Sequence, residues 1–320
     1  MKTTKTILAA ALLIAAFAVA PLHADDRTIW GWSETAGFSL ALPAAYTAFK
    51  VDGSSVLAGS VAIPAFRWGN GILFDSNYLR LAASVEVSST NLDIANSITF
   101  EPLAFLHLKA GSSLGTGWTI GNGPYIGLAI NPSNDAEAIR PIPNGGYVWS
   151  AWGSIPLSFS IEQLTGNAWL RIVLETEPRM QYRALNVAGK LDAWLWRSDQ
   201  GMNFNGWTLS QSFFVGYRPP LYYGPQEAGF ELTYRTWLFD VADSSTVANN
   251  GWGSDAVMLD FAFRAKWSFD AWSKLFFRVN VGTEVEWTAA SVAAHRYFGN
   301  RTYLGKGTVW GLEASYIYEY

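Results

Sequence analysis

From Ala256 to Thr288 the chain alternates between apolar and mostly polar residues. Val257, Leu259, Phe261, Phe263, Ala265, Trp267 and Phe269 hold the odd positions, and Met258, Asp260, Ala262, Arg264, Lys266 and Ser268 the even ones. A period of two places each set on its own face of a strand. After Asp270-Ala271-Trp272-Ser273 the alternation resumes, with Leu275, Phe277, Val279, Val281, Thr283, Val285 and Trp287 on one face and Lys274, Arg278, Asn280, Glu284 and Glu286 on the other. Two such arms around a short polar turn predict a hairpin. Each arm holds about 13 residues, against roughly 5 or 6 for an ordinary strand. At about 3.3 Å per residue and a tilt of about 40°, an arm rises about 33 Å, enough to cross an apolar band about 25 Å tall.

The same pattern recurs along most of the chain. Trp30 to Leu42 reads as a strand, Ala45 to Val51 as a short second one, and Asp52-Gly53-Ser54 as a turn into Val56 to Trp68. Further strands are predicted at Tyr78 to Ser88, Ile98 to Ala110, Trp118 to Ile130 and Tyr147 to Glu162. Leu170 to Glu175 follows, then a tight turn at Glu177-Pro178-Arg179 and a strand over Ala184 to Trp196. Trp207 to Arg218, Phe230 to Leu238, the hairpin, and a last strand ending at Tyr320 complete the set. This gives 14 strands with Ala45 to Val51 as a strand of its own and 13 without it; a closed antiparallel barrel of this kind has an even number, so 14 is favoured, with 12 as the alternative. Reading back from the C-terminus, Ala289 to Lys306 and Val241 to Ser254 fall on one side, and Asp270 to Ser273 and Glu177 to Arg179 on the other. The long stretch Asn131 to Gly146 then falls on the side of the short turns, against the trend.

Composition implies that such strands hide their apolar surface from water or place it in lipid. Charged residues make up only 15% of the chain and aromatic residues another 15%, with 16 Trp, where a soluble domain carries about 25% charged residues. Lys2 and Lys5 precede an apolar run from Ile7 to Ala20, the form of a secretory signal. Pro21 disfavours cutting after Ala20, so the expected cut follows Ala24, leaving residues 25–320 as a single barrel domain. Without Lys2 and Lys5 the formal charge of −4 becomes −6, which disfavours nucleic acid as a partner. The chain has no Cys, so neither disulfides nor a lipidated cysteine can form. Two long uncharged stretches, residues 111–134 and 141–161, are interrupted by Gly and Pro and make poor membrane helices. A membrane protein built from this sequence is therefore expected to be an all-β, up-and-down transmembrane barrel.

The last strand adds a more specific signal. Trp310, Leu312, Ala314, Tyr316, Tyr318 and Tyr320 alternate to the final residue. In Glu313, Ser315, Tyr318 and Tyr320 the chain resembles bacterial outer-membrane β-barrel proteins, whose last strand ends on an aromatic with another two before it, behind a small and a polar residue. Ser stands where Gly is usual, and Tyr where Phe is commonest. The resemblance implies an outer-membrane location in a Gram-negative-type envelope, lipid as surroundings, and recognition by the barrel-assembly machinery.

With the apolar face toward lipid, the inward set is Arg80, Glu86, Glu101, His107, Lys109, Glu162, Arg171, Glu175, Glu231, Arg235, Asp260, Arg264, Lys266, Arg278, Glu284, Glu286 and Glu313. Such a lining suits a porin-like channel passing small hydrophilic solutes by diffusion, opposed acids and bases setting selectivity. Three alternatives stay open: a transporter of hydrophobic substrates using Phe105, Trp194, Trp196, Trp237 and Phe276, a structural or adhesive barrel acting through its external loops, and a secreted soluble β-protein that would remain monomeric in buffer without detergent. Trp30, Trp32, Trp68, Trp207, Trp267, Phe269, Trp287 and Trp310 fall near strand ends, where interfacial aromatic girdles belong. Outside the signal only His107 and His295 are available for catalysis, and neither has a patterned acid cluster beside it, so no enzyme activity, metal or cofactor is expected.

Overall fold

The computed structural model describes residues 29–43, 50–64, 77–120, 126–131, 140–142, 146–167, 169–189, 193–196, 203–238, 258–283 and 308–319. Within these, thirteen strand segments form one sheet. Two of them, Tyr147–Ser154 and Leu157–Ser160, are halves of a single interrupted strand, since both pair with the same following strand. The wall therefore has twelve strands: β1 Ile29–Pro43, β2 Lys50–Pro64, β3 Tyr78–Ser88, β4 Asn91–Leu103, β5 Leu106–Gly117, β6 the interrupted strand, β7 Ile172–Leu185, β8 Gly206–Tyr217, β9 Gly224–Trp237, β10 Met258–Ser268, β11 Ser273–Thr283 and β12 Thr308–Glu319. Each pairs antiparallel with the next, and β12 returns to β1 from Ser33↔Glu319 to Pro43↔Val309. That last ladder closes the barrel and removes both sheet edges.

Twelve strands correct the favoured count of 14. Asp52-Gly53-Ser54 is no turn but lies inside β2, Gly53 opposite Phe38. Glu177-Pro178-Arg179 likewise runs straight through β7, opposite Ser212, Gln211 and Ser210. Conversely, the strand expected over Ile98 to Ala110 turns back at Ala104-Phe105, between β4 and β5. The described residues 118–120, 126–130, 186–189 and 193–196 lie outside the wall beyond β5 and β7 and contribute only short ribbons such as Ala129–Asn131 against Ala193–Leu195.

The revised count also sorts the connections. The four longest, 118–146, 186–205, 238–257 and 284–307, all leave from the end opposite the start of β1, here the far end. Those at the near end, 65–77, 104–105, 161–171, 218–223 and 269–272, are shorter. Residues 131–146 thus join the other long connections, and the anomaly in the side assignment disappears. The expected loops 241–254 and 289–306, His295, the signal segment and its cut, Trp68, Trp287 and Tyr320 lie outside the described residues.

The outer surface is apolar where a soluble protein would be polar. Phe38, Leu57, Phe213 and Phe261 are 48%, 50%, 52% and 52% exposed, in the middle of four different strands. Trp32, Trp207, Trp267 and Phe269, all read as girdle residues, are exposed as well. The largest fully buried side chains, Trp194, Leu128, Leu185, Asn91 and Thr90, lie in the far-end connections or at the strand ends beside them. Leu128, Ile142, Val148, Leu185, Trp194 and Trp196 form one dry cluster. Asn205 holds it in place, accepting from the Leu185 N–H at 2.8 Å and the Trp194 indole at 3.1 Å, and donating to the Leu185 and Ala188 carbonyls. Trp196 packs where Gly115 and Gly117 leave no side chain on the inner face of β5.

Closure at β1 and β12 is tight. A Cβ at Gly37 would stand 3.0 Å from Ser315 Cβ and 3.1 Å from the Ala314 carbonyl oxygen. Gly37→Val is expected to weaken the closing ladder by about 1 to 3 kcal/mol, seen as a lower midpoint in urea unfolding of the lipid-reconstituted barrel. An unchanged midpoint would mean that this seam tolerates separation.

The β10–β11 turn offers a test by pH. The Asp270 carboxylate accepts hydrogen bonds from the Trp272 N–H, the Ser273 hydroxyl and the Ser273 N–H, and these hold its pKa below the usual 3.8. A depressed carboxyl stabilises the fold above its ordinary pKa, and that contribution is lost as pH falls through the folded-state value. Protection of the Trp272 and Ser273 amides against exchange should therefore fall below pH about 4, and be absent at every pH in Asp270→Ala.

Candidate functional site: a charged network on the inner face

Because side chains alternate, the face opposite the exposed Phe and Leu residues carries the charges. On β7, β9, β10 and β11 these charges meet one another. Glu175 on β7 accepts from both Arg218, just past β8, and Arg264 on β10, the latter at 2.6 Å. Arg218 also reaches Glu227 at 2.6 Å, and Arg264 reaches Glu227 and Glu231 at 3.0 Å each. Arg278 on β11 continues the chain of contacts to Glu231 at 3.2 Å and Asp260 at 2.7 Å, and Asn280 donates to the other Asp260 oxygen at 3.0 Å. Three guanidiniums thus link four carboxylates across five strand positions of the wall.

Geometry fixes the central member. The Arg264 guanidinium carbon lies 3.6 Å above the ring of Phe214, an inward residue of β8. The ring supports the flat cation from below, while three acids meet its rim. A planar fork can serve several carboxylates at once, which a lysine ammonium cannot do with the same fixed angles.

The network borders a cavity of about 500 Å³, whose wall also includes His107 and Lys109 of β5, Ser158 of β6, Glu177 of β7 and Ser212 of β8. Five of the residues expected to point inward, His107, Lys109, Glu175, Glu231 and Arg264, share this one space. Arg80 and Glu86 lie on β3, Glu101 on β4 with its carboxylate 3.5 Å from His107, Arg235 on β9, and Lys266 on β10.

Two expected members fall elsewhere. Glu162 is in the five-residue helix Ile161–Thr165 and Arg171 just before β7; they pair with each other at 2.6 Å in a near-end connection. Both were placed inward by extending alternation past the ends of the strands. The hydrogen bond that Arg171 donates to the Glu162 carboxylate raises the arginine pKa above its usual value. Glu284 and Glu286 lie outside the described residues, and Glu313 is placed by its backbone alone, opposite Arg278 and Ser39. Of the assembly signal, Ser315 and Tyr318 pair with Gly37 and Glu34 in the closing ladder.

The inward set leaves out Arg218 and Glu227. Arg218, which alternation puts on the face opposite Trp207 and Phe213, sits one residue beyond β8, and Glu227 follows the register shift between Pro225 and Glu227. Their shared parity with Phe214 and Glu231 was the available signal. Three of the aromatic residues of the hydrophobic-substrate alternative have other partners. Trp194 and Trp196 are spent in the far-end cluster, and Phe105 stacks at 5.3 Å on Phe159, itself 48% exposed. Among the described residues no group of three or more His, Cys, Asp or Glu is arranged to hold a metal ion.

No protein-family model and no curated protein matches the chain. Among solved structures the chain is similar to the KdgM porin, with 9% identity over 88% of this chain and 98% of that one, and a TM-score of 0.39. It is similar to an outer membrane channel from Pseudomonas putida F1, with 10% identity over 94% and 98% of the two chains and a TM-score of 0.44. It is also similar to the translocator domain of the autotransporter NalP from Neisseria meningitidis, with 10% identity over 98% and 95% and a TM-score of 0.40.

Arg264 can be tested directly. Arg264→Gln leaves Glu175, Glu227 and Glu231 without their shared partner, and should cost about 2 to 3 kcal/mol of unfolding free energy in lipid. Pairing it with Glu231→Gln should recover part of the loss, and purely additive effects would show that the two side chains are not coupled.

Proposed function

We propose that the chain is a porin-like outer-membrane channel, through which small hydrophilic solutes diffuse along an interior lined by the charged residues of β3 to β11. The observation that carries this reading is the ion-paired network beside a 500 Å³ cavity, on the face turned away from the exposed apolar belt. A dry interior would make so many charges costly unless every one were paired. Water in the lumen removes that cost. Twelve strands lie between the 8 that fill themselves with side chains and the 16 that leave an open channel, so the lumen is narrow and its side chains set what passes. Lipid is the partner of the outer belt, and the barrel-assembly machinery that of the closing strand.

Single-channel recording from the refolded chain in a planar bilayer tests this. Discrete current steps with a measurable ion preference are expected. A folded, heat-modifiable barrel that passes neither ions nor small sugars would overturn the proposal.

A further inference from the structure

Beside the network, further along β5 to β7, the inner face carries cations that the network does not use. Lys109 on β5, Ser154 on β6 and Arg179 on β7 are direct cross-strand partners, Lys109↔Ser154 and Ser154↔Arg179. Successive partners are about 5 Å apart and project to the same face, so the two cations flank the serine. The Arg179 Nε and the Ser154 hydroxyl are both buried with no hydrogen-bond partner. Two orphaned polar groups on directly paired residues, beside a lysine, need an explanation.

The guanidinium is also held in place without its N–H groups being consumed. Its carbon lies 4.4 Å from the centroid of the Trp152 ring. That ring packs over Gly111, where a Cβ would approach it to 2.6 Å. Stacking fixes the plane of the cation by its face and leaves the edge donors free. Glu177, two residues along β7 on the same face, attracts the cation at a distance but accepts no hydrogen bond from it. The four acids of the neighbouring network are bound to Arg218, Arg264 and Arg278 instead.

We propose that Arg179, Ser154 and Lys109 form an anion-binding site on the inner wall, which takes an oxyanion such as the sulfate, phosphate or carboxylate group of a passing solute. The oxyanion receives charge-assisted hydrogen bonds from the Arg179 edge and the Lys109 ammonium, with the Ser154 hydroxyl donating between them. This rests on the channel reading for its physiological role, but binding itself requires only the folded barrel. The solutes favoured are therefore small anions, held at one point of their path.

The test uses the folded, detergent-solubilised barrel and inorganic sulfate as the probe. Calorimetric titration should show saturable binding, weakened at least tenfold in Arg179→Gln and clearly weakened in Lys109→Gln. Both variants must keep the heat-modifiable mobility of the parent; if Arg179→Gln does not fold, Lys109→Gln and Ser154→Ala decide. In bilayers under a potassium chloride gradient, the reversal potential should indicate anion preference and move toward cation preference in the same variants. Sulfate binding without current would overturn the channel and keep the site. Current with no saturable sulfate binding, or binding indifferent to these substitutions, would overturn the site and keep the channel.

Discussion

The structure depends first on the ladder between β1 and β12. In hydrocarbon an unpaired backbone N–H or C=O costs several kcal/mol, so a row of them along a sheet edge could not persist. Closure joins Ser33 through Pro43 to Val309 through Glu319, the two ends of the described chain. Small residues permit it: Gly37 stands so close to Ser315 and Ala314 that a Cβ there would fit only if its neighbours shifted. Once the ring is closed, one face of every strand must be apolar and the other is free to be charged.

The interior uses that freedom unevenly. Around β7 to β11, acids and guanidiniums are bound to one another in a continuous network, which fixes long side chains that would otherwise sweep the lumen. Around β5 to β7 the arrangement is the reverse, with a cation immobilised by a ring instead of by an acid. Both stretches of wall use the same device, an arginine laid flat on an aromatic, Arg264 on Phe214 and Arg179 on Trp152. They differ in what meets the rim of the cation.

Much of this was legible in the sequence. The hairpin over β10 and β11, the facing of Asp260, Arg264, Lys266 and Arg278, and the antiparallel closed architecture all follow from a period of two. Turn positions were less legible, because Gly53 and Pro178 look like punctuation while their neighbours on both sides carry them through as strand. The true turn at Ala104-Phe105 has no turn residue and hides inside an alternating run. Partnership was the least legible property. Alternation tells which face Glu175 occupies, but its meeting with Arg264 depends on the register of three intervening ladders, which no local pattern encodes.

The far-end cluster of Leu128, Ile142, Val148, Leu185, Trp194 and Trp196 has a consequence for temperature. The wall is held by backbone ladders and ion pairs, but this cap is held mainly by removing apolar surface from water, a driving force that fades on cooling. The molecule therefore combines two parts with different thermal signatures. Chilling weakens the apolar hold on this far-end cluster more than it weakens the ladders and ion pairs of the wall.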